Sequence, residues 1–365
     1  MKTKKKKFEM RKNSFLELKN EYHIIQGECL DVLKGLPNES ISCVITSPPY
    51  WQLREYDAGE MNGHIIGNEK DPKEYVQKLV EIFSEVKRVL KKDGSLWLNL
   101  GDKYHNKMLM GMPWRVALAM IDDGWILRND IIWDQMKGTQ SAKDRLRDVY
   151  EHVFHFVKSK KYYYDHNEIR IKPKRKPKKY KGEMVSATGV SGKKYRKQIA
   201  ESTVLSKVEK VNAEQALNDA IKAMADGEIV DFRMTIRGEQ RTFHSDKTKV
   251  SGRAKELEDK GYYILKMGAN GHLPSDIWRI VPEDQWRKDA HYAVFPEELL
   301  TNPIKATCPK GEYVLDPFSG TGSSVLTALK LGRKGIGIDV SSKYNEIAER
   351  RIDEFKKLRH SDLFA

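Results

Sequence analysis

The chain has 365 residues, with 66 lysines and arginines against 52 acidic residues and a formal net charge of +14. A hydrophobic content of 39% suffices for a core, and no apolar run approaches the roughly 18 residues of a membrane helix, so no membrane span is expected. Three scattered cysteines, Cys29, Cys43 and Cys308, exclude a disulfide framework and a zinc site, and they point to a reducing, cytoplasmic setting. The positive excess favours a polyanionic partner, because binding one releases condensed counterions.

Residues 1–20 read as a basic tail without the apolar stretch of a secretory signal. Tyr22–Gln26 is a short strand, Gly27–Leu33 turns into a helix, and Ile41–Ile45 is a buried strand. Two strands joined by a short helix suggest a parallel sheet. Glu28 stands at the first strand's C-terminal end, where open α/β sheets bind ligands. An ordinary exposed carboxylate fits that position equally well.

Ser47-Pro48-Pro49-Tyr50-Trp51 comes next. Two prolines stop the strand, leaving a rigid loop with a hydroxyl, free backbone carbonyls and an aromatic ring. That set suits a planar heterocycle bearing an exocyclic amine. Ser47 and the Pro48 carbonyl would accept its two N–H groups, and Tyr50 would stack on the ring. Taken alone, Pro-Pro-Tyr also reads as a plain turn or a polyproline segment. Its place after a buried strand, and a second motif near the C-terminus, favour the site.

Arg54 to Asn68 reads as an irregular loop over a site. Asp71 caps an amphipathic helix through Val89, with Pro72 at its first position. Gly94–Leu100 is a strand, Pro113–Ile121 a helix, and Ile126–Trp133 and Tyr150–Val157 are strands. Trp133 reads as a core residue.

At Lys172 the character changes. Lys174, Arg175, Lys176, Lys178 and Lys179 are crowded among prolines, and Lys193, Lys194 and Arg196 continue the run after a Gly/Ser loop. Prolines and mutual repulsion exclude a helix in the first part. Tyr180 and Tyr195, interleaved with the charges, fit a nucleic-acid surface. Residues 198–225 read as helix and 229–265 as short strands and turns. The segment from about 170 to 275 breaks the α/β pattern and reads as a separate lobe.

The pattern resumes near Asp276, with a helix over Pro296–Ile304. A strand ending at Asp316 then feeds Pro317-Phe318-Ser319-Gly320-Thr321-Gly322, a helix from Ser324 to Leu331 follows, and Lys334–Asp339 is the next strand. Glycines let the backbone approach a ligand closely. Asp339, roughly 20 residues beyond the glycine turn, stands where a carboxylate grips ribose hydroxyls. Val325 replaces the third glycine of a dinucleotide fingerprint, and no Gly-x4-Gly-Lys-Ser/Thr occurs. What remains is a nucleoside without a pyrophosphate bridge.

Together, Thr46–Tyr50 and Asp316–Gly322 resemble the catalytic and cofactor loops of amino-group DNA methyltransferases that use S-adenosyl-L-methionine. The order catalytic loop, recognition segment, cofactor loop resembles the β class, a circular permutation of that fold. Arg128–Trp133, Asp144-Arg145, Glu151-His152 with Lys158-Ser159, and Phe295-Pro296 fit as well, so the resemblance covers 21–170 and 276–355. It implies an α/β fold: a Rossmann-like, mostly parallel, circularly permuted sheet in halves at 21–170 and 276–365, with an inserted target-recognition lobe at 171–275.

By the same resemblance, Ser47, Pro48, Pro49 and Tyr50 form the catalytic loop. Asp316 faces the methionine part of the cofactor, Phe318 packs beside it, Gly320 and Gly322 give room, Asp339 holds the ribose and Glu28 meets the adenine edge. Glu28 stands where the family usually has aspartate, and Tyr292 follows His291 where a small residue or proline is usual. The implied partner is double-stranded DNA, contacted by the basic lobe. A cognate restriction endonuclease and a monomeric or homodimeric state stay open. Ser-Pro-Pro-Tyr is more typical of cytosine-N4 members, which makes cytosine N4 the expected acceptor. Adenine N6, RNA methylation and a catalytically silent DNA-binding protein are the rivals. Cytosine C5 is disfavoured, since that chemistry resembles attack by a cysteine from a Pro-Cys loop and no proline here precedes a cysteine.

Overall fold

The computed structural model describes residues 18–53, 66–136, 142–239, 252–282 and 295–361. Most of the basic tail, the loop expected from Arg54 up to residue 65, and His291 with Tyr292 lie outside them. The chain divides into two compact units, 1–168 with 275–365, and 169–274.

The larger unit begins with β1 (Tyr22–Gln26), α1 (Cys29–Lys34), β2 (Ile41–Thr46), α2 (Pro72–Val89) and β3 (Leu90–Leu100). It continues with β4 (Tyr104–His105), β5 (Met108–Leu109), α3 (Met112–Asp122), β6 (Ile126–Asp134) and β7 (Tyr150–Val157). The smaller unit holds β8 (Lys178–Tyr180), β9 (Glu183–Val185), α4 (Gly192–Glu201), α5 (Lys207–Ala225), β10 (Ile229–Ile236), α6 (Gly252–Lys260) and β11 (Tyr262–Gly268). The larger unit resumes with β12 (Ile277–Arg279), α7 (Glu297–Thr307), β13 (Tyr313–Asp316), α8 (Ser323–Lys330), β14 (Lys334–Asp339) and α9 (Ser342–Ser361).

One sheet organises the larger unit, in the order β1-β14-β13-β2-β3-β7-β6-β12, with only β7 running against its neighbours. The central strands β2 and β13 are buried at every position, as expected of parallel strands covered on both faces. Their side chains alternate between two cores. Val44 and Leu315 join Leu79, Phe83 and Val116 on one face, while Cys43, Ile45 and Val314 join Leu299 and Ile304 on the other. As expected, Asp71 caps α2, its carboxylate accepting the Lys73 N–H, and Pro72 opens the helix. Trp133 is buried, its indole donating to the Ile280 carbonyl at 2.8 Å. The arrangement is the mostly parallel α/β sheet that the sequence led us to expect.

Leaving β2 the chain moves one way, to β3, and leaving β13 it moves the other way, to β14. This is a topological switch point, where loops leaving the C-terminal strand ends part and leave a crevice.

In the smaller unit the antiparallel pair β10–β11 packs Phe232, Met234 and Ile236 against Ile199, Ala213 and Leu217 of α4 and α5. Three expectations are corrected there. The helix expected over 198–225 is two helices, because Ser206 and Glu209 form a capping box that starts α5 afresh. The stretch 229–265 contains the helix α6. Tyr195 is core rather than surface. It shares the inward stripe of α4 with Ile199, lies 5.8 Å from the Phe232 ring and is 8% exposed, whereas Tyr180 is 59% exposed. Lys174, Arg175, Lys176, Lys178, Lys179, Lys193, Lys194 and Arg196 are all exposed, the last donating to Asn218 at 3.0 Å. Among the described residues no helix is long and apolar enough to cross a membrane, and no group of His, Cys, Asp or Glu is placed to hold a metal.

Candidate active site

The two sequence motifs meet because β2 and β13 are neighbours, with Val314 opposite Cys43 and Leu315 opposite Val44. Thr46, the last residue of β2, donates its hydroxyl to Asp316 Oδ1 at 2.6 Å. Ser324 donates to Asp316 Oδ2 at 2.6 Å and the Phe318 N–H to Oδ1 at 3.0 Å. Burial pushes the Asp316 carboxyl up to about 6, and these three donors oppose the rise.

Beyond Thr46 the Ser-Pro-Pro-Tyr loop is held at Ser47, Pro49 and Tyr50. Ser47 donates to the Tyr50 hydroxyl at 3.1 Å, and Tyr50 donates to Glu151 Oε2 at 2.5 Å. Glu151 lies near the start of β7. Its Oε2 also accepts Asn99 of β3 at 2.9 Å, and its Oε1 accepts Gln135, just past β6, at 2.9 Å. Burial, with the Glu151 charge beside it, raises the Tyr50 phenol well above its ordinary value, so Tyr50 stays a donor. Its ring lies so close to Gly101 that a Cβ there would stand 2.6 Å from Tyr50 Cε2. The Pro49 carbonyl accepts the Tyr75 hydroxyl at 2.9 Å. Trp51 and Gln52 donate side-chain N–H groups to the Glu69 carbonyl at 2.8 and 3.0 Å, and the buried Glu69 carboxylate takes the Gly67 N–H and Lys78.

The glycine loop rises from the adjoining strand end. Asp339, ending β14, accepts the Gly320 N–H at 2.9 Å and the Ser341 N–H at 2.8 Å, and burial raises its carboxyl against these two bonds. Gly320 adopts a left-handed φ of +50°, and apart from itself and its two chain neighbours no described residue has an atom within 4 Å of where its Cβ would stand. Gly322 (φ +75°) is held differently, since a Cβ there would meet Ala348 Cβ of α9 at 2.7 Å. Its lack of a side chain lets α9 pack. β1 pairs with β14, and the Gly27 N–H reaches the Asp339 carbonyl at 3.1 Å, which brings Glu28 to the same rim. Glu28 caps α1, accepting the Asp31 N–H at 3.0 Å and the Cys29 thiol at 3.2 Å.

A carboxylate at a strand end, a half-buried Phe318 and open space over Gly320 form the kind of cradle that a nucleoside with a polar tail requires. The fold gathers every expected catalytic and cofactor residue on one unit, at one sheet edge. The eight basic residues all belong to the smaller unit. Sequence reasoning gave no role to Asn99, Gln135, Glu69 or Ser324, and noted Thr46 and Glu151 only as parts of matching stretches.

A mostly parallel sheet with Ser-Pro-Pro-Tyr and a glycine loop side by side at its switch point defines a methyltransferase. Residues 41–350 match the DNA methylase family of N6/N4 amino-methyltransferases, and the chain belongs to that family. It is 31% identical to the type II methyltransferase M.SfiI of Streptomyces fimbriatus over 89% of each chain. To the type II methyltransferase M.Cfr9I of Citrobacter freundii it is 28% identical over 92% of this chain and 89% of that one. The fold matches that of the solved PvuII DNA methyltransferase (cytosine-N4-specific), with a TM-score of 0.54 at 18% identity, covering 90% of this chain and 86% of that one. The protein is an S-adenosylmethionine-dependent, site-specific DNA amino-methyltransferase.

Proposed function

We propose that the enzyme methylates the exocyclic N4 of a cytosine extruded from duplex DNA. The observation that carries the choice of base is the serine at the head of Ser47-Pro48-Pro49-Tyr50. The relatives' type II designation supports a role in restriction–modification beside a cognate endonuclease.

S-adenosylmethionine supplies an electrophilic methyl group on its sulfonium. Asp339 would hold the ribose, Glu28 would meet the adenine edge, and Asp316 with Phe318 would border the methionine part over the room left at Gly320, the space at Gly322 being taken by Ala348 of α9. The target amine is a poor nucleophile, because its lone pair is delocalised into the ring. Hydrogen bonds from its two N–H groups to Ser47 Oγ and the Pro48 carbonyl draw the nitrogen towards tetrahedral geometry and free that lone pair. Juxtaposition with the methyl group supplies much of the remaining acceleration.

Extruding a base costs a few kcal/mol, and stacking on Tyr50 returns about 1–3 kcal/mol. Because Glu151 and Ser47 already hold the Tyr50 hydroxyl, little ordering entropy is left to lose when the base arrives. Lys174, Arg175, Lys176, Lys178, Lys179, Lys193, Lys194 and Arg196 contact the DNA backbone.

The test is mass spectrometry of nucleosides from duplex DNA incubated with the enzyme and labelled S-adenosylmethionine. Label in N4-methylcytosine is the expected result. Label in N6-methyladenine instead would overturn the choice of base and leave the family intact.

A further inference from the structure

We infer that Leu146 is the wedge that enters the DNA stack when the target base leaves it, with Arg145 and Arg147 gripping the backbone on either side. The inference rests on the base-extrusion reading above.

Leu146 is 91% exposed, more than any other large apolar side chain among the described residues. The next are Val208 (69%), Val211 (68%) and Leu358 (66%), all of which lie along helices. Single exposed apolar residues on a surface are common and by themselves mean nothing. Leu146 differs in its setting. It stands in irregular backbone leading into β7, directly between two arginines.

That segment is tied to the Tyr50 site from both sides. The Arg145 guanidinium sits 3.4 Å from the centroid of the Tyr104 ring. Lys103, next to Tyr104, donates to the carbonyl of Gln52, two residues past Tyr50, and His105 packs its ring 5.7 Å from that of Trp51. On the other side the Val149 carbonyl accepts the Gln135 N–H at 2.9 Å, and Glu151, five residues past Leu146, accepts the Tyr50 hydroxyl.

A base that swings into a pocket leaves a gap in the stack at a cost of a few kcal/mol, and a side chain that fills the gap offsets part of that cost. An apolar side chain inserted between base steps does so, and burying a leucine there recovers the hydrophobic free energy that full exposure forgoes. Guanidinium groups on both sides suit phosphate oxygens, which they bind bidentately. A leucine between two arginines, at the rim of a base-accepting site, combines both requirements.

The experiment uses the full chain and two synthetic duplexes carrying its own methylated site, mapped by sequencing DNA from cells that express it. In one duplex the target base is paired; in the other its partner nucleotide is abasic, so that the target is already loose. Leu146→Ala should lose about tenfold or more in kcat/KM on the paired duplex and regain most of it on the abasic one. Leu146→Phe, which keeps an apolar wedge, should stay near wild type on both. Wild-type activity of Leu146→Ala on the paired duplex would overturn the assignment, as would an equal loss on both duplexes. A wild-type enzyme that gains neither affinity nor rate on the abasic duplex over the paired one would overturn the extrusion reading itself, a result distinct from the other two.

Discussion

Thr46 and Asp316, 270 residues apart in sequence, share a 2.6 Å hydrogen bond in the buried centre of the sheet. That bond locks the end of the strand before Ser-Pro-Pro-Tyr to the start of the glycine loop. A shift of either strand end moves both halves of the site together. It also gives a buried carboxylate one of the three donors, among the described residues, that favour its charge.

The first prediction concerns that carboxylate. Its folded-state pKa of about 6 lies above the ordinary aspartate value of about 4. Between those limits the folded chain binds more protons than the unfolded one, so this group makes stability fall as pH rises through the window. Asp316→Asn should flatten that part of the profile, and Thr46→Val, which removes a donor to the carboxylate, should extend the window upward. Urea midpoints from pH 4 to pH 7 check both. A profile of Asp316→Asn parallel to wild type would refute the assignment.

Tyr50 is expected to act through its ring. Tyr50→Ala should lower methylation about tenfold to a hundredfold, the range set by base–aromatic stacking, while calorimetry finds unchanged cofactor affinity. Gly101→Ala should reproduce the defect with the loop's own sequence unchanged, because its Cβ would stand 2.6 Å from Tyr50 Cε2 and displace the ring. Normal turnover in Gly101→Ala would show that the ring's placement does not matter.

Asp339→Ala should weaken cofactor binding by at least about tenfold, since it removes a ligand and releases the N–H groups of Gly320 and Ser341 together. Asp339→Asn keeps an acceptor and should lose less. A titration of the alanine variant that matches wild type would exclude the role.

Neutralising Lys174, Arg175, Lys176, Lys178 and Lys179 together should weaken DNA binding for every sequence. It should also reduce the slope of log K against log salt by about 0.9 for each phosphate that the variant no longer neutralises. All five are exposed, so the fold should survive. An unchanged slope would remove this stretch from the DNA surface.

Much of this fold could be read directly. The strands Tyr22–Gln26, Tyr150–Val157 and Lys334–Asp339 have the bounds that their apolar patterns suggested. There the signal is local: glycines, prolines and charges punctuate short apolar runs. Glu151, Asn99 and Gln135 carry no such signal. They are polar residues on or beside three different strands, and they converge on Tyr50 only because β3, β7 and β6 lie side by side. The break between α4 and α5 was legible, since Ser206 and Glu209 spell a capping box, but helical periodicity on both sides outweighs it. Tyr195 shows the limit of composition. Its neighbours are charged, yet the four-residue spacing to Ile199 turns it inward.

The central pairing of β2 with β13 also governs how the chain is made. β2 leaves the ribosome early, apolar and designed to be buried on every side, while its partner emerges some 270 residues later. At about 5–20 residues per second, one edge of β2 waits roughly 15–50 s for its neighbour. A bare edge of this kind recruits other chains. A message truncated just before Tyr313 should therefore yield aggregates and no soluble fragment, and the nascent chain should depend on chaperones until β13 has been synthesised.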